Sequence, residues 1–353
     1  MPPFNTKDNL IRVFVILLLP CISLYAAPTL FGPFLTETGA LYDIICNKND
    51  DSSLASPAKL SYTGINTFDE RMCILVTFMR EALDDGRAPF FHEFFAAFGP
   101  SGVIPMIEMR RAGYQTFVVS ASVLVLGALH QLFSGAVILP LWWTIHLLVS
   151  DFNSVSLHPH YVEGTFIGYL LGYLVVSVAQ VIFQTIGIAV AWQIFPAFIV
   201  LIQALYLCFQ NYARGETPDC SHDVLQLIHI TNFCWSTITH AYTLFWVFSS
   251  SSLAPFDALK HVFHPAFSSS SLRPMASLSQ QFLKWDILFI SGTTLLVGLS
   301  LLRGTRAKLL AFSWFMLGSL CFGMGAALSG IWMWREKVLE EDRRARKLRS
   351  KEE

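Results

Sequence analysis

The chain has 353 residues, of which 54% are hydrophobic and only 14% charged, and its mean hydropathy is +0.51. Soluble domains carry about a quarter of their residues as charges, so this composition excludes an ordinary soluble enzyme and points to an integral membrane protein. A net charge of −1 leaves no basic field for nucleic acid and no large acidic one.

A spanning helix needs roughly 20 mostly apolar residues, and the chain offers many such runs. Lys7 and Arg12 precede an apolar run over about 10–30 that ends near Ala26-Ala27-Pro28. The small residues fit a cleaved signal peptide, but the length of the run favours a first transmembrane helix. A polar loop follows over 36–66. Segment 67–83 has an apolar centre with charges at both ends. Segment 89–109 is expected to be interrupted at Gly99-Pro100 and to meet an interface at Glu108-Met109-Arg110-Arg111.

Residues 114–149 would form a helix of about 54 Å at 1.5 Å per residue, well beyond a hydrocarbon core of about 30 Å. Either that helix projects from the membrane or it breaks near Ser134-Gly135 and Pro140. Residues 164–209 must be two helices, with the turn between Gln184 and Trp192. Further spans are expected at 225–249, 282–302 and 308–333. A serine-rich loop over 250–281 reads as a flexible linker. The charged segment 336–353 reads as a helix-forming tail, cytosolic by the positive-inside rule. The fold class is therefore all-α: a polytopic transmembrane helical bundle of about eight spans over 1–335. No repeat of the inverted-transporter kind is visible.

Seven cysteines are scattered singly with no CxxC pair. They read as small packed hydrophobes, with room for one bridge or reactive thiol among the loop residues. The acid pairs Asp50-Asp51 and Asp84-Asp85 lack the third carboxylate that would hold a magnesium–diphosphate. His92-Glu93 opens like a zinc-protease motif, but Ala96 stands where the second histidine belongs. His158-Pro-His160 lacks further ligands. No nucleophile elbow, phosphate loop or dinucleotide fingerprint is present, so no cofactor and no metal are expected.

The remaining candidates are polar residues set in apolar helices: Glu108, Gln131, His146, Gln184, Gln193, His229, His240 and Asp286. Ionisable groups within a membrane are costly and point to function; interhelical hydrogen bonding is the plainer alternative. For Glu108 an ion pair with Arg110 or Arg111 competes, and for Asp286 a local pairing with Lys284. His229 and His240 lie eleven apart and share a helix face. A carboxylic acid in a low-dielectric site can remain protonated and serve as a general acid. Aromatic faces, of which the chain has 30 Phe, 9 Trp and 10 Tyr, can stabilise the cation that follows.

The stretch Glu108-Met-Arg-Arg, then Gln131, then Leu139-Pro-Leu-Trp-Trp-Thr-Ile-His146, resembles a pattern in fungal integral-membrane terpene cyclases of ascofuranone- and ascochlorin-type meroterpenoid pathways. The resemblance continues at Ala191-Trp-Gln-Ile-Phe-Pro196, at Thr239-His240 and at Trp285-Asp286, and covers about 110–300. The chain departs from it at Trp142-Trp143 and at Arg111-Ala-Gly-Tyr114. The resemblance implies an isomerase-type terpene cyclase, without redox chemistry, that protonates a terminal epoxide or alkene of a prenylated substrate, such as an epoxidised farnesyl meroterpenoid, and closes rings. It implies catalytic roles for Glu108, Asp286 and His240, and substrate contacts from Gln131, His146, Trp192, Gln193 and Trp143. The expected partners are a lipophilic prenylated small molecule and membrane lipid, with no nucleic acid. The expected location is integral and multi-pass in the endoplasmic reticulum. A multi-spanning transporter or a non-catalytic receptor or scaffold is the alternative.

Overall fold

The computed structural model describes residues 6–46, 62–83, 88–150, 157–213, 221–250, 254–265 and 275–352. Asp50-Asp51, Asp84-Asp85, Cys220 and the serine run at 268–271 lie outside the described residues. The described residues form α1 (Thr6–Cys46), α2 (Asn66–Leu83), α3 (Ala88–Arg111), α4 (Thr116–Phe133), α5 (Gly135–Val149) and α6 (Pro159–Tyr169). A π-helical turn, Leu170–Leu174, joins α6 to α7 (Val175–Phe183). Then come α8 (Ile186–Gln193), α9 (Phe195–Ala213), α10 (Ser221–Ser250), α11 (Pro255–Phe263), α12 (Met275–Leu301), α13 (Thr305–Phe322) and α14 (Met324–Glu352). Among the described residues there is no strand, so the all-α expectation stands.

The count of eight spans does not stand. Four stretches are long and apolar enough to cross a membrane: Asp8–Pro33, Thr116–Phe133, Pro159–Phe183 and Leu278–Leu301. A fifth arises if α8 and α9, bent by 67°, are taken as one. The physical reason lies in α3 and α10. Both have the length, but they turn Glu93, Glu108, Arg110 and Arg111, or His229, Asn232, Ser236 and His240, into the interior, where all are buried. The expected last span breaks at Gly323, whose φ is 89°.

The expected break at Ser134 is present, and Gln184 opens the expected turn region, but Ile186–Gln193 within that region is itself the helix α8 and a second bend follows it, so residues 164–209 hold more than two helices. Ser134 has φ 68° and Gln184 φ 49°, both in the left-handed region. Pro140 lies inside α5 without ending it. Two boundaries differ from expectation. Helix α1 runs on to Cys46, so the polar loop cannot begin at 36. Helix α3 passes unbroken through Pro100 and Pro105. A proline frees carbonyls, and in a buried helix neighbouring groups can answer them. Pro100 withdraws the N–H that the Ala96 carbonyl would take and Pro105 the one for Ser101; beside the first, the Tyr173 hydroxyl donates to the Phe95 carbonyl at 2.6 Å and ties α3 to the π-turn.

Helix α3 packs against α10, α12 and α14, and α1 against α5 and α12. Phe91, Phe94, Phe95 and Phe98 recur at helical spacing along α3 and are all buried. Gly164, Gly168 and Gly172, four apart, let α6 and the π-turn meet α9. A Cβ at Gly172 would lie 2.6 Å from the Ile199 nitrogen and 2.9 Å from its Cα. Outward faces are apolar: Phe117, Leu205, Phe209 and Leu320 are each more than 60% exposed.

Short α5 is held at both ends. Its N-terminus meets the Asp286 carboxylate, and the Arg12 guanidinium donates to the carbonyls of Leu147 at 2.5 Å and Ser150 at 3.2 Å beyond its last turn. The Arg12 charge complements the helix macrodipole. Among the described residues one disulfide, Cys46–Cys73, joins the end of α1 to α2. Contrary to the packing expectation, Cys21, Cys208, Cys234 and Cys321 are free and exposed.

Candidate active site

Around the start of α5, helices α1, α2, α3, α4, α8 and α12 enclose a chamber of about 290 Å³. Phe31, Phe78, Phe94, Phe98, Trp192 and Phe282 supply its aromatic walls. Four of the residues expected from the sequence meet there: Asp286, Gln131, Trp192 and Gln193. A vestibule of about 800 Å³ adjoins it, and the two share Arg71, Ile74, Leu75, Gln131, Leu132 and Gln193. On another side Phe98 and His130 also line an apolar recess of about 60 Å³ against Tyr169, Tyr173 and Phe195. Drug-sized ligands occupy about 300–1,000 Å³, so chamber and vestibule together suit a molecule of that size.

Asp286 is the chamber's acidic group, carried on α12 and buried. Its Oδ1 accepts from Ser134 Oγ at 2.5 Å and from the Ala136 N–H at 2.8 Å. Among the described residues Oδ2 takes no hydrogen bond. The Ser134 hydroxyl also accepts from Ala136 N at 3.1 Å, so the strained residue, the helix end and the acid form one unit. Gly135 permits this close approach, since a Cβ there would collide with the Ile290 side chain. The alternative pairing of Asp286 with Lys284 is not formed, because residues two apart on a helix face different ways. Within the walls, His130 Nε2 and Gln193 Oε1 are buried without a hydrogen-bond partner. The Trp192 indole N–H donates to Ser177 Oγ at 3.2 Å, which fixes the ring against Phe95, 5.1 Å between centroids.

The other expected residues lie elsewhere. Glu108 is ten positions beyond Phe98, about 15 Å along α3, and is fully engaged. Its Oε1 and Oε2 accept from Arg335 Nη1 and Nη2 at 2.6 and 3.0 Å. Arg111 Nε lies 3.4 Å from the same carboxylate, and Arg111 Nη2 donates to Glu336 at 2.6 Å. The result is a buried quartet of two acids and two guanidinium groups clasping α3 to α14. The expected ion pair with Arg111 forms, but the pair with Arg335 is the tighter one.

His240 meets Glu93 of α3, with Nδ1 to Oε1 at 2.5 Å, and its Nε2 reaches the Leu320 carbonyl at 3.1 Å. Both ring nitrogens therefore face acceptors, which suits an imidazolium held between a carboxylate and a carbonyl. His229 shares its helix face as expected and is wholly buried, with neither nitrogen hydrogen-bonded. His146 and Trp143 sit toward the far end of α5. The His146 ring stacks on Trp142 at 5.0 Å and its Nδ1 meets Ser150 Oγ at 3.1 Å; Trp143 is buried against both rings. None of these residues lines the chamber.

Sequence reasoning passed over Arg71, His130 and Ser134. His130 carried a usable signal, being a histidine beside Gln131 in an otherwise apolar helix. Ser134 was read only as a break. Arg71 was read as an end charge on a short helix.

A FAD-dependent monooxygenase, verC1 of Penicillium polonicum, is 25% identical to the chain over 159 residues, covering 43% of this chain and 19% of that protein. The chain thus spans about a fifth of the length of the curated relative it matches. No solved structure matches the chain. The CtvD domain model matches residues 15–339, nearly the whole bundle, and the chain belongs to that family, which is found in fungal secondary-metabolite biosynthesis proteins.

Proposed function

We propose that the chain is a membrane-embedded terpene cyclase of fungal secondary metabolism, which closes rings on a prenylated, epoxidised farnesyl meroterpenoid by proton transfer from Asp286. The observation that carries this reading is a single buried carboxyl group at an aromatic-walled chamber, with one oxygen anchored and the other open.

In this reading Oδ2 delivers a proton to the epoxide oxygen as its C–O bond breaks. The Ser134 hydroxyl and the Ala136 N–H stabilise the negative charge left on the carboxylate, as preorganised donors do. The carbocation is attacked by the next double bond, and the faces of Phe94, Phe98 and Trp192 stabilise the charge as it moves along the chain. The last cation loses a proton that returns to the Asp286 carboxylate, which regenerates the acid, so the product is an isomer of the substrate. Gln131 and Gln193 orient the substrate. Glu108 and His240 act at a distance, by fixing α3 against α14 and α10.

Membrane embedding is part of the same proposal. Exposed apolar residues over charges held inside suit a hydrocarbon surrounding, and such a location delivers a lipophilic substrate directly. The flavin named for the relative is left with that protein. No step here runs through a flavin.

The test is conversion of farnesylated phenol epoxides by microsomes carrying the full chain. Asp286→Asn preserves an acceptor for Ser134 and Ala136 but has no acidic proton, and turnover should fall about 10²–10⁴-fold, the usual contribution of a general acid. Glu108→Gln, corrected for folded protein, should retain turnover within a few fold. Undiminished cyclisation by Asp286→Asn would overturn the assignment.

A further inference from the structure

The boundary between the chamber and its vestibule holds a cation that the fold itself does not answer. Arg71 of α2 lines both cavities, is exposed toward them, and among the described residues forms no ion pair or hydrogen bond. Two carboxamides share that boundary: Gln131 from α4 and Gln193 from α8. Gln193 is only 6% exposed, and its carbonyl oxygen has no donor. A buried acceptor left unmet by the protein is an acceptor set for something else.

The backbone under Arg71 is pinned on either side. Two residues earlier, the buried Asp69 carboxylate accepts from the Thr63 N–H at 2.8 Å, the Thr63 hydroxyl at 2.9 Å and the Gly64 N–H at 3.1 Å. Two residues later, Cys73 is bridged to Cys46. The guanidinium is thus presented from a fixed point, which lowers the cost of ordering it around a ligand.

Guanidinium offers only donors, and the Gln193 carbonyl only accepts. A ligand that carries an anionic oxygen and an O–H at the same end satisfies both. A carboxylated phenol meets that requirement, and the apolar walls beyond it take a hydrocarbon tail. We propose that Arg71, Gln131 and Gln193 form a head-group subsite that selects prenyl chains bearing an acidic, hydroxylated aromatic head, with the tail reaching inward to Asp286. The direction of the tail rests on the cyclase reading; the selection of the head does not.

Equilibrium dialysis of the purified full chain in detergent separates the two. The probes are a farnesylated hydroxybenzoic acid and its methyl ester, at a pH where the acid is ionised. Wild type should hold the acid about tenfold tighter than the ester, as a charge-assisted pair predicts. Arg71→Gln should bind the two alike, and Arg71→Lys should recover part of the preference. Asp286→Asn should keep the preference although it cannot turn over. Equal binding of acid and ester by wild type, a preference that survives Arg71→Gln, or no binding of either probe would overturn the subsite. Palmitate displacing the prenylated acid at equal concentration would also overturn it, by assigning the site to any anionic chain. A preference without turnover on any epoxide would leave the subsite standing while the cyclase reading fell.

Discussion

Asp286 and Ser134 meet across 152 residues of sequence, with Ser134 Oγ donating to Asp286 Oδ1 at 2.5 Å where α5 begins. Ser134 holds φ 68°, a conformation that costs a non-glycine residue about 1–3 kcal/mol. The strain is concentrated in the residue that positions the acid.

Ser134→Ala removes the hydroxyl but keeps the strained backbone, whereas Ser134→Gly removes both. The glycine variant should therefore melt at higher temperature than the alanine variant, by an amount equivalent to about 1 kcal/mol. Both should lose activity relative to wild type, because both lose the bond that orients Asp286. Thermal unfolding in detergent, alongside turnover, checks the order. An alanine variant as stable as the glycine variant would show that the backbone is relaxed there.

Gly172→Ala should destabilise by about 1–3 kcal/mol, the usual range for overpacking. The obstruction is the Ile199 backbone, 2.6 Å from the new Cβ at the nitrogen, and backbone cannot swing aside as a side chain can. Gly187→Ala has open space around it and serves as the control. Melting temperatures of the pair decide the matter.

Glu108→Gln should cost about 3–5 kcal/mol, as expected when one partner of a buried pair is removed. It leaves Arg111 and Arg335 sharing Glu336 alone. Adding Arg335→Met should restore much of the loss, since the second charge then leaves too. Melting curves of the single and double variants measure the coupling; additive losses would contradict the clasp.

Loss of the Cys46–Cys73 bridge, whose cysteines are 27 residues apart, should cost about 3 kcal/mol on a chain-entropy account. Reducing agent should lower the melting temperature of wild type to that of Cys46→Ser and leave the variant unmoved. A wild-type melt indifferent to reduction would mean that the bridge does not form in the purified chain.

The sequence was most informative where chain geometry alone decides. An apolar run of 36 residues exceeds a bilayer, so a break near Ser134 was one of two outcomes open to it; the same reasoning put a turn between Gln184 and Trp192, of which only the start at Gln184 is non-helical. Span number was not legible, because hydropathy averages over a helix and cannot tell an inward polar face from an outward one. The continuation of α3 through Pro100 rests on its packing against α10, α12 and α14, which lie far from it in the sequence.

The candidate site was half legible for a related reason. Asp286, Gln131, Trp192 and Gln193 share a chamber, while Glu108, His240, His146 and Trp143 answer to other neighbours. A polar residue in an apolar helix gives one signal for two different fates. What separates them is the partner, and Arg335 lies 227 residues from Glu108. Position along the helix contributes as well: His146 is eleven residues, about 16 Å, from the end of α5 that meets Asp286.

The quartet of Glu108, Arg111, Arg335 and Glu336 also bears on inheritance. Its charges cancel as a set, so a lineage that loses one without its counterpart passes through a poorly folded intermediate. Among descendants of a common ancestor these four positions should persist together or be replaced together by apolar residues. The chamber walls can drift one side chain at a time as substrates change. Sequence change would then proceed at one end of α3 while the other end stays under joint constraint.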